Sequence, residues 1–151
     1  MDLIRAREIF GDRVIPNVTW DRVALLPDKL ETAPMNVYRV CDSGCSCKED
    51  FQSTCIEKKR KNLRPAKGQD PNSISYHGTS VNTTYERAQR VLAMKQDFHP
   101  RAIIVEGVIS HNIHGIYQFS HKYREYKDVT HIDFWIYEDG TPELDFTEVK
   151  L

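Results

Sequence analysis

Apolar and polar positions are most regularly spaced after residue 70. Ala88, Val91 and Leu92 recur at helical spacing and predict one main helix over 83–96. Thr83-Thr84-Tyr85-Glu86 opens it as a capping box, the Thr83 hydroxyl accepting from the Glu86 N–H while the carboxylate reaches back. Pro100 blocks any continuation. Strands are predicted at 73–79, at RAIIVEGVI (101–109) and at VTHIDFWIYE (129–138). Asp139-Gly140 then turns the chain into the short strand ELDFTEV (143–149). At the front, Leu3, Ile4, Ile9 and Phe10 predict a short helix within 1–12. Pro16, Pro27 and Pro34 break the following stretch into extended pieces such as VALL (23–26) and NVYRV (36–40). KGQDPN (67–72) is the most loop-like segment and the best internal boundary. The reading is an α+β fold: small β-sheets packed around one main helix, with an irregular cysteine-bearing N-terminal lobe over 1–70 and a β-rich lobe over 71–151.

Composition narrows the class without naming a function. A chain of 151 residues, 40% hydrophobic and 28% charged, has the makings of one ordinary globular core rather than a fibre or a disordered tail. No apolar run approaches the roughly 18 residues of a membrane span, so no membrane partner is expected. Charges within MDLIRAREIF argue against a secretion signal, and the expected location is nuclear or cytoplasmic. A formal net charge of −1 predicts neither nucleic acid nor lipid as a whole-molecule partner.

Local chemistry is more informative. Cys41, Cys45, Cys47 and Cys55 fall within one short stretch, where four thiols form two disulfides or hold one tetrahedral metal ion. In a reducing compartment the thiols are expected to stay reduced, and the close spacing is read as disfavouring a Cys45–Cys47 bond, so a zinc site on all four is the preferred expectation. The cationic run from Lys58 to Lys67 follows, able to present charge to nucleic-acid phosphate or to stand as a solvated loop or nuclear import signal. His111-x2-His114 has the spacing to share a metal, but beside strands such histidines are more often satisfied polar side chains. His131-x-Asp133 has the spacing of an iron facial triad, yet no histidine follows to complete it.

Two family resemblances bear on function. GDRVIPNVTWD, Pro27, Pro34, NVYRV and Gly44-Cys45-Ser46-Cys47 resemble the lead-in of pre-SET regions in histone-lysine methyltransferases of the heterochromatin type. Tyr76-His77-Gly78, the helix around Glu86 to Arg90, Gly107 to Asn112, Thr130 to Phe134 and Gly140 to Phe146 are similar to later SET anchors, in the same order. The resemblance implies S-adenosylmethionine as methyl donor, held near Tyr76, His111 and Asn112, and a histone tail or other lysine-bearing protein as substrate. The chain has no Gly-x-Gly, and Glu148 stands at the position of the family's catalytic tyrosine, which implies a reduced or inactive form. Tyr117 and Tyr123 are the candidate replacements, with Tyr126 as a third hydroxyl. A catalytically silent, zinc-stabilised module binding chromatin or nucleic acid is the alternative. The second resemblance is shorter: Tyr76-His77-Gly78-Thr79 and Gly115-Ile116-Tyr117 look like pieces of the His-Tyr-Glu pattern of ADP-ribosyltransferases, in which the His and Tyr hold NAD. Only 34 residues follow Tyr117, which leaves little room for the glutamate-bearing strand.

Overall fold

The computed structural model describes residues 1–16, 18–111 and 113–150. Along the chain run α1 (Leu3–Phe10), α2 (Trp20–Val23), β1 (Met35–Cys41), α3 (Thr54–Arg60), β2 (Thr79–Asn82), α4 (Tyr85–Lys95), β3 (Ile103–Ile109), β4 (Gly115–Phe119), β5 (His131–Ile136) and β6 (Thr147–Glu148). Single 3₁₀ turns lie at Lys48–Phe51, Ser75–His77, Ser120–Lys122 and Pro142–Leu144. Among the described residues no helix is long and apolar enough to cross a membrane.

The α+β expectation holds, and the strands join into one six-stranded sheet, ordered β4-β5-β2-β1-β3-β6, with every pairing antiparallel. The longest ladder, Met35↔Ile109 to Cys41↔Ile103, inserts β1 between β2 and β3. Residues from both halves of the chain therefore share a single sheet.

Alternation along the strands sends side chains to opposite faces. Val37, Val81, Val105, Tyr117, Ile132 and Phe134 form a buried layer on one face, closed by Phe51 and Phe146. On the opposite face Ile116, Trp135 and Tyr137 pack against α1 through Ala6 and Phe10 and against the segment around Val23 and Leu26. A smaller cluster of Val40, Ala88 and Ile104 seats α4 on β1 and β3. Gly115 permits the close β4–β5 approach, because a Cβ there would collide with the Trp135 carbonyl.

Several local boundaries differ from the sequence reading. The main helix starts later: Thr84, not Thr83, is the N-cap, accepting from the Arg87 N–H at 3.4 Å. Glu86 pairs with Arg90 on the surface instead of closing a capping box. Within 73–79 a 3₁₀ turn at Ser75–His77 stands where a strand was expected, because the Ser73 hydroxyl and carbonyl groups of the turn capture backbone N–H groups that a strand would use, and β2 begins only at Thr79. Within ELDFTEV the turn at Pro142–Leu144 leaves only two residues in β6.

Candidate functional site

His77 ends a 3₁₀ turn immediately before β2 and is 3% exposed. Its Nε2 lies 3.1 Å from the Pro71 carbonyl oxygen. A carbonyl only accepts, so Nε2 carries the hydrogen and Nδ1 is left as an acceptor. Nδ1 is buried and has no partner. Burial, reinforced by the charge of Arg22, lowers the pKa of His77 and keeps the ring neutral near pH 7. Gly78 follows because its Cα passes close to the Trp135 indole: a Cβ there would sit 3.0 Å from Nε1. The Gly78 carbonyl accepts from the Thr54 N–H at 3.0 Å, and the Thr79 hydroxyl donates to the Phe51 carbonyl at 2.7 Å. These two bonds dock the start of α3 over β2.

A cleft of about 270 Å³ opens beside His77. Phe51, Thr79, Phe134 and Ile136 give it a largely apolar lining, and Tyr137 and Glu138 close one end. The Tyr137 hydroxyl is buried without a hydrogen-bond partner, like His77 Nδ1. Burial raises its pKa, so it stays a hydroxyl able to donate or accept. Glu138 is exposed, two residues beyond the end of β5, with its backbone N–H anchored on the Val14 carbonyl at 2.7 Å. Buried polar atoms in folded proteins are nearly all satisfied, so an unsatisfied ring nitrogen on a residue that lines this cleft marks a place for a ligand's polar group. Sequence reasoning reached His77 but missed Tyr137 and Glu138, which read only as the end of a strand.

Thr79, Phe134 and Tyr117 occupy one register row across β2, β5 and β4. The two short fragments that resemble ADP-ribosyltransferases thus flank β5. Tyr117 itself is fully buried, T-stacked on Phe134 with centroids 6.0 Å apart, and its hydroxyl donates to the Ala33 carbonyl at 2.6 Å. Tyr123, the other candidate catalytic hydroxyl, donates to Asp133, and burial raises its pKa. Tyr76 packs edge-on to His77. His111 forms an isolated bridge to Gly115, with its Nδ1 buried and unpartnered. Asn112 lies outside the described residues. None of Tyr76, His111 and Tyr117 lines the His77 cleft. His114 is absorbed structurally: it accepts from the Ser110 N–H through Nδ1 at 3.0 Å and holds Asp145 through Nε2 at 2.7 Å.

The cysteines divide. Cys45 and Cys47 are disulfide-bonded with Cα atoms 5.5 Å apart, contrary to the reading of their spacing. Residues two apart in extended chain face the same side, and Gly44, at φ +86°, turns the loop just before them. Their sulfurs form with Asp50 a group whose ligand atoms all lie within 4.8 Å of one another, a set able to hold a metal ion. Cys41 and Cys55 are buried outside that group. Burial pushes the Cys41 thiol up to about 12, which keeps it protonated in the metal-free protein. Among the described residues, the group able to hold an ion is two sulfurs and a carboxylate, where the sequence reading expected four thiols.

The basic run is likewise divided. Lys61 is tied to Asp42 at 2.7 Å and Glu57 at 2.8 Å, Arg60 donates to Gln52, and Lys59 stays exposed. No protein-family model matches the chain, and no curated protein and no solved structure matches it at a significant level.

Proposed function

We propose that the chain binds NAD at the His77 cleft and acts as an ADP-ribosyltransferase-like domain. The observation that carries this reading is the buried, neutral His77 whose free acceptor shares one cleft with the Glu138 carboxylate. A ribose hydroxyl is the donor that Nδ1 lacks. The volume suits one nucleoside-sized half of the dinucleotide, with the remainder lying over the surface. In the transfer, the bond between ribose C1′ and the nicotinamide nitrogen breaks and nicotinamide leaves as a neutral base. A bond forms from C1′ to the acceptor, whose proton passes to a general base. Glu138 is suited to balance the positive charge that develops on the sugar ring and to take that proton. Tyr117 acts in this reading as a positioning residue, propping Phe134 from behind. A lysine-bearing protein is the proposed acceptor.

The supporting experiment is a pair of measurements on the whole chain: thermal shift with NAD, and nicotinamide release. A ligand bound only by the native state raises its stability. NAD is expected to raise the melting temperature, His77→Ala to weaken binding about tenfold, a loss the size of one hydrogen bond, and Glu138→Gln to retain binding while losing turnover. Stabilisation by S-adenosylmethionine with none by NAD would overturn this reading in favour of methyl transfer.

For the cysteine loop we propose zinc as the ion that the reduced pair would take. Two thiolates and the Asp50 carboxylate leave one tetrahedral position for water, and the disulfide and the bound ion are mutually exclusive states of the same sulfurs.

A further inference from the structure

A second cleft, of about 820 Å³, lies between α3 and α4 over β1 and β2, lined by neither His77 nor Glu138. Its lining carries five fixed cations, Arg39, Lys58, Lys61, Arg87 and Lys95, against three carboxylates, Asp42, Glu57 and Asp128. The carboxylates are already engaged. Asp42 holds both Lys61 and Lys95, Glu57 holds Lys61, and Asp128 holds Arg87 at 2.9 Å. Arg39 and Lys58 are left with no carboxylate within ion-pair distance among the described residues.

Arg39 is also immobilised. Its Nε donates to the Asp50 carbonyl at 3.0 Å and its Nη1 to the Ser80 carbonyl at 2.7 Å. Two backbone acceptors hold the guanidinium with no carboxylate in ion-pair contact, and its charge is the strongest of those that lower the pKa of nearby Glu57. A fixed guanidinium on a cleft, with no carboxylate in direct contact, is a seat for phosphate.

Asn82 supplies a separate signal on the same lining. The residue is 9% exposed, and its Oδ1 is buried without a partner. That oxygen is an acceptor open to an N–H or O–H donor from whatever fills the cleft. The cleft offers ring-sized apolar cover as well: Tyr38 and Tyr126 line it, while Met94 and Phe98 line it despite being 66% and 83% exposed. An anion seat, a carboxamide acceptor and aromatic cover are together the recognition set for a nucleotide whose base carries an amino group.

We infer that this cleft is a nucleotide site, with phosphate on Arg39 and Lys58 and the amino group of the base on Asn82 Oδ1. It goes beyond the NAD reading, since its residues are not those of the His77 cleft. Free nucleotide and the end of a single-stranded RNA share this chemistry.

Calorimetric titration of the whole chain with AMP tests it, with adenosine, inorganic phosphate and a short oligoadenylate alongside. AMP is expected to bind at least tenfold tighter than adenosine or phosphate alone. Lys58→Glu and Asn82→Leu should each weaken AMP at least tenfold. Because Asn82→Leu removes an unsatisfied buried oxygen, its ligand-free melting temperature should match or exceed that of the parent, which a merely structural asparagine would not allow. Oligoadenylate binding tighter than AMP assigns the RNA end, and the reverse assigns the free nucleotide. His77→Ala should leave AMP affinity unchanged, so loss of NAD binding and loss of this site are separable. No heat with AMP, or undiminished AMP affinity in Asn82→Leu, overturns the inference.

Discussion

Asp133 sits on β5 with 2% of its side chain exposed and takes hydrogen bonds from the Ser120 and Tyr123 hydroxyls and from two nitrogens of Arg124. Ser120 in turn lies 2.5 Å from Nδ1 of His131. The arrangement is unlike an accessible nucleophile with its base: Ser120 is fully buried, and Asp133 accepts from its hydroxyl at 3.0 Å while lying 3.9 Å from the His131 ring nitrogen. These bonds tie the turn after β4 down onto β5. Removing a carboxylate from such a network leaves the cation and two hydroxyls uncompensated. Asp133→Ala should therefore cost about 3 kcal/mol, measured as a fall in the urea midpoint at unchanged slope. A cost below about 1 kcal/mol would mean that Arg124, which is 30% exposed, simply rehydrates. His131-x-Asp133 stood out in sequence as a metal spacing, while its actual partners, Ser120 and Arg124, come from another element and carry no local mark.

At the scale of elements, long periodic stretches were legible and short ones depended on tertiary contacts. Ala88, Val91 and Leu92 identified α4, and the apolar runs identified β3 and β5, because each buries a regular stripe against the sheet. GIYQF was not read as a strand, yet it is β4: its five residues form one only because Gly115 allows β5 to approach. The cysteine loop shows the converse limit. Composition drew attention to it, but which thiols meet depends on the turn at Gly44 and on Asp50, held by the Ser43 N–H at 3.2 Å. Oxidised protein should bind no zinc, and reduced protein about one ion per chain by elemental analysis. Cys45→Ser should abolish that uptake while Cys41→Ser leaves it intact, since Cys41 lies in the core rather than in the group. Equal loss in both variants would restore the four-thiol arrangement.

For the molecule as a whole, acid is the condition that tests the buried ionisable groups together. The polar clefts that this fold builds were scarcely legible in sequence, since His77, Tyr137 and Glu138 converge only through pairing of β2 with β5, and Arg39 meets Asn82 only across β1 and β2. His77 and His131 are buried and His111 is half-buried, and desolvation lowers the pKa of each below the ordinary 6.5. The unfolded chain then binds protons at a higher pH than the folded one, so stability falls as pH drops from about 6.5 toward the depressed folded values. Asp42 adds a second, lower window. Burial alone would raise its carboxyl, but the hydrogen bond from Lys61 and the charge of Lys95 outweigh it and hold the group at about 2, against 3.8 when free. Its contribution is present above about 4 and is lost between there and about 2, and it amounts to about 2 kcal/mol. Urea midpoints measured from pH 7 to pH 2 should accordingly decline in two steps. Asp42→Asn should flatten the lower step and spare the upper, whereas His131→Gln should shrink the upper and spare the lower. A single step near pH 4, insensitive to His131→Gln, would show that the histidines are hydrated and that the clefts they line stand open to water.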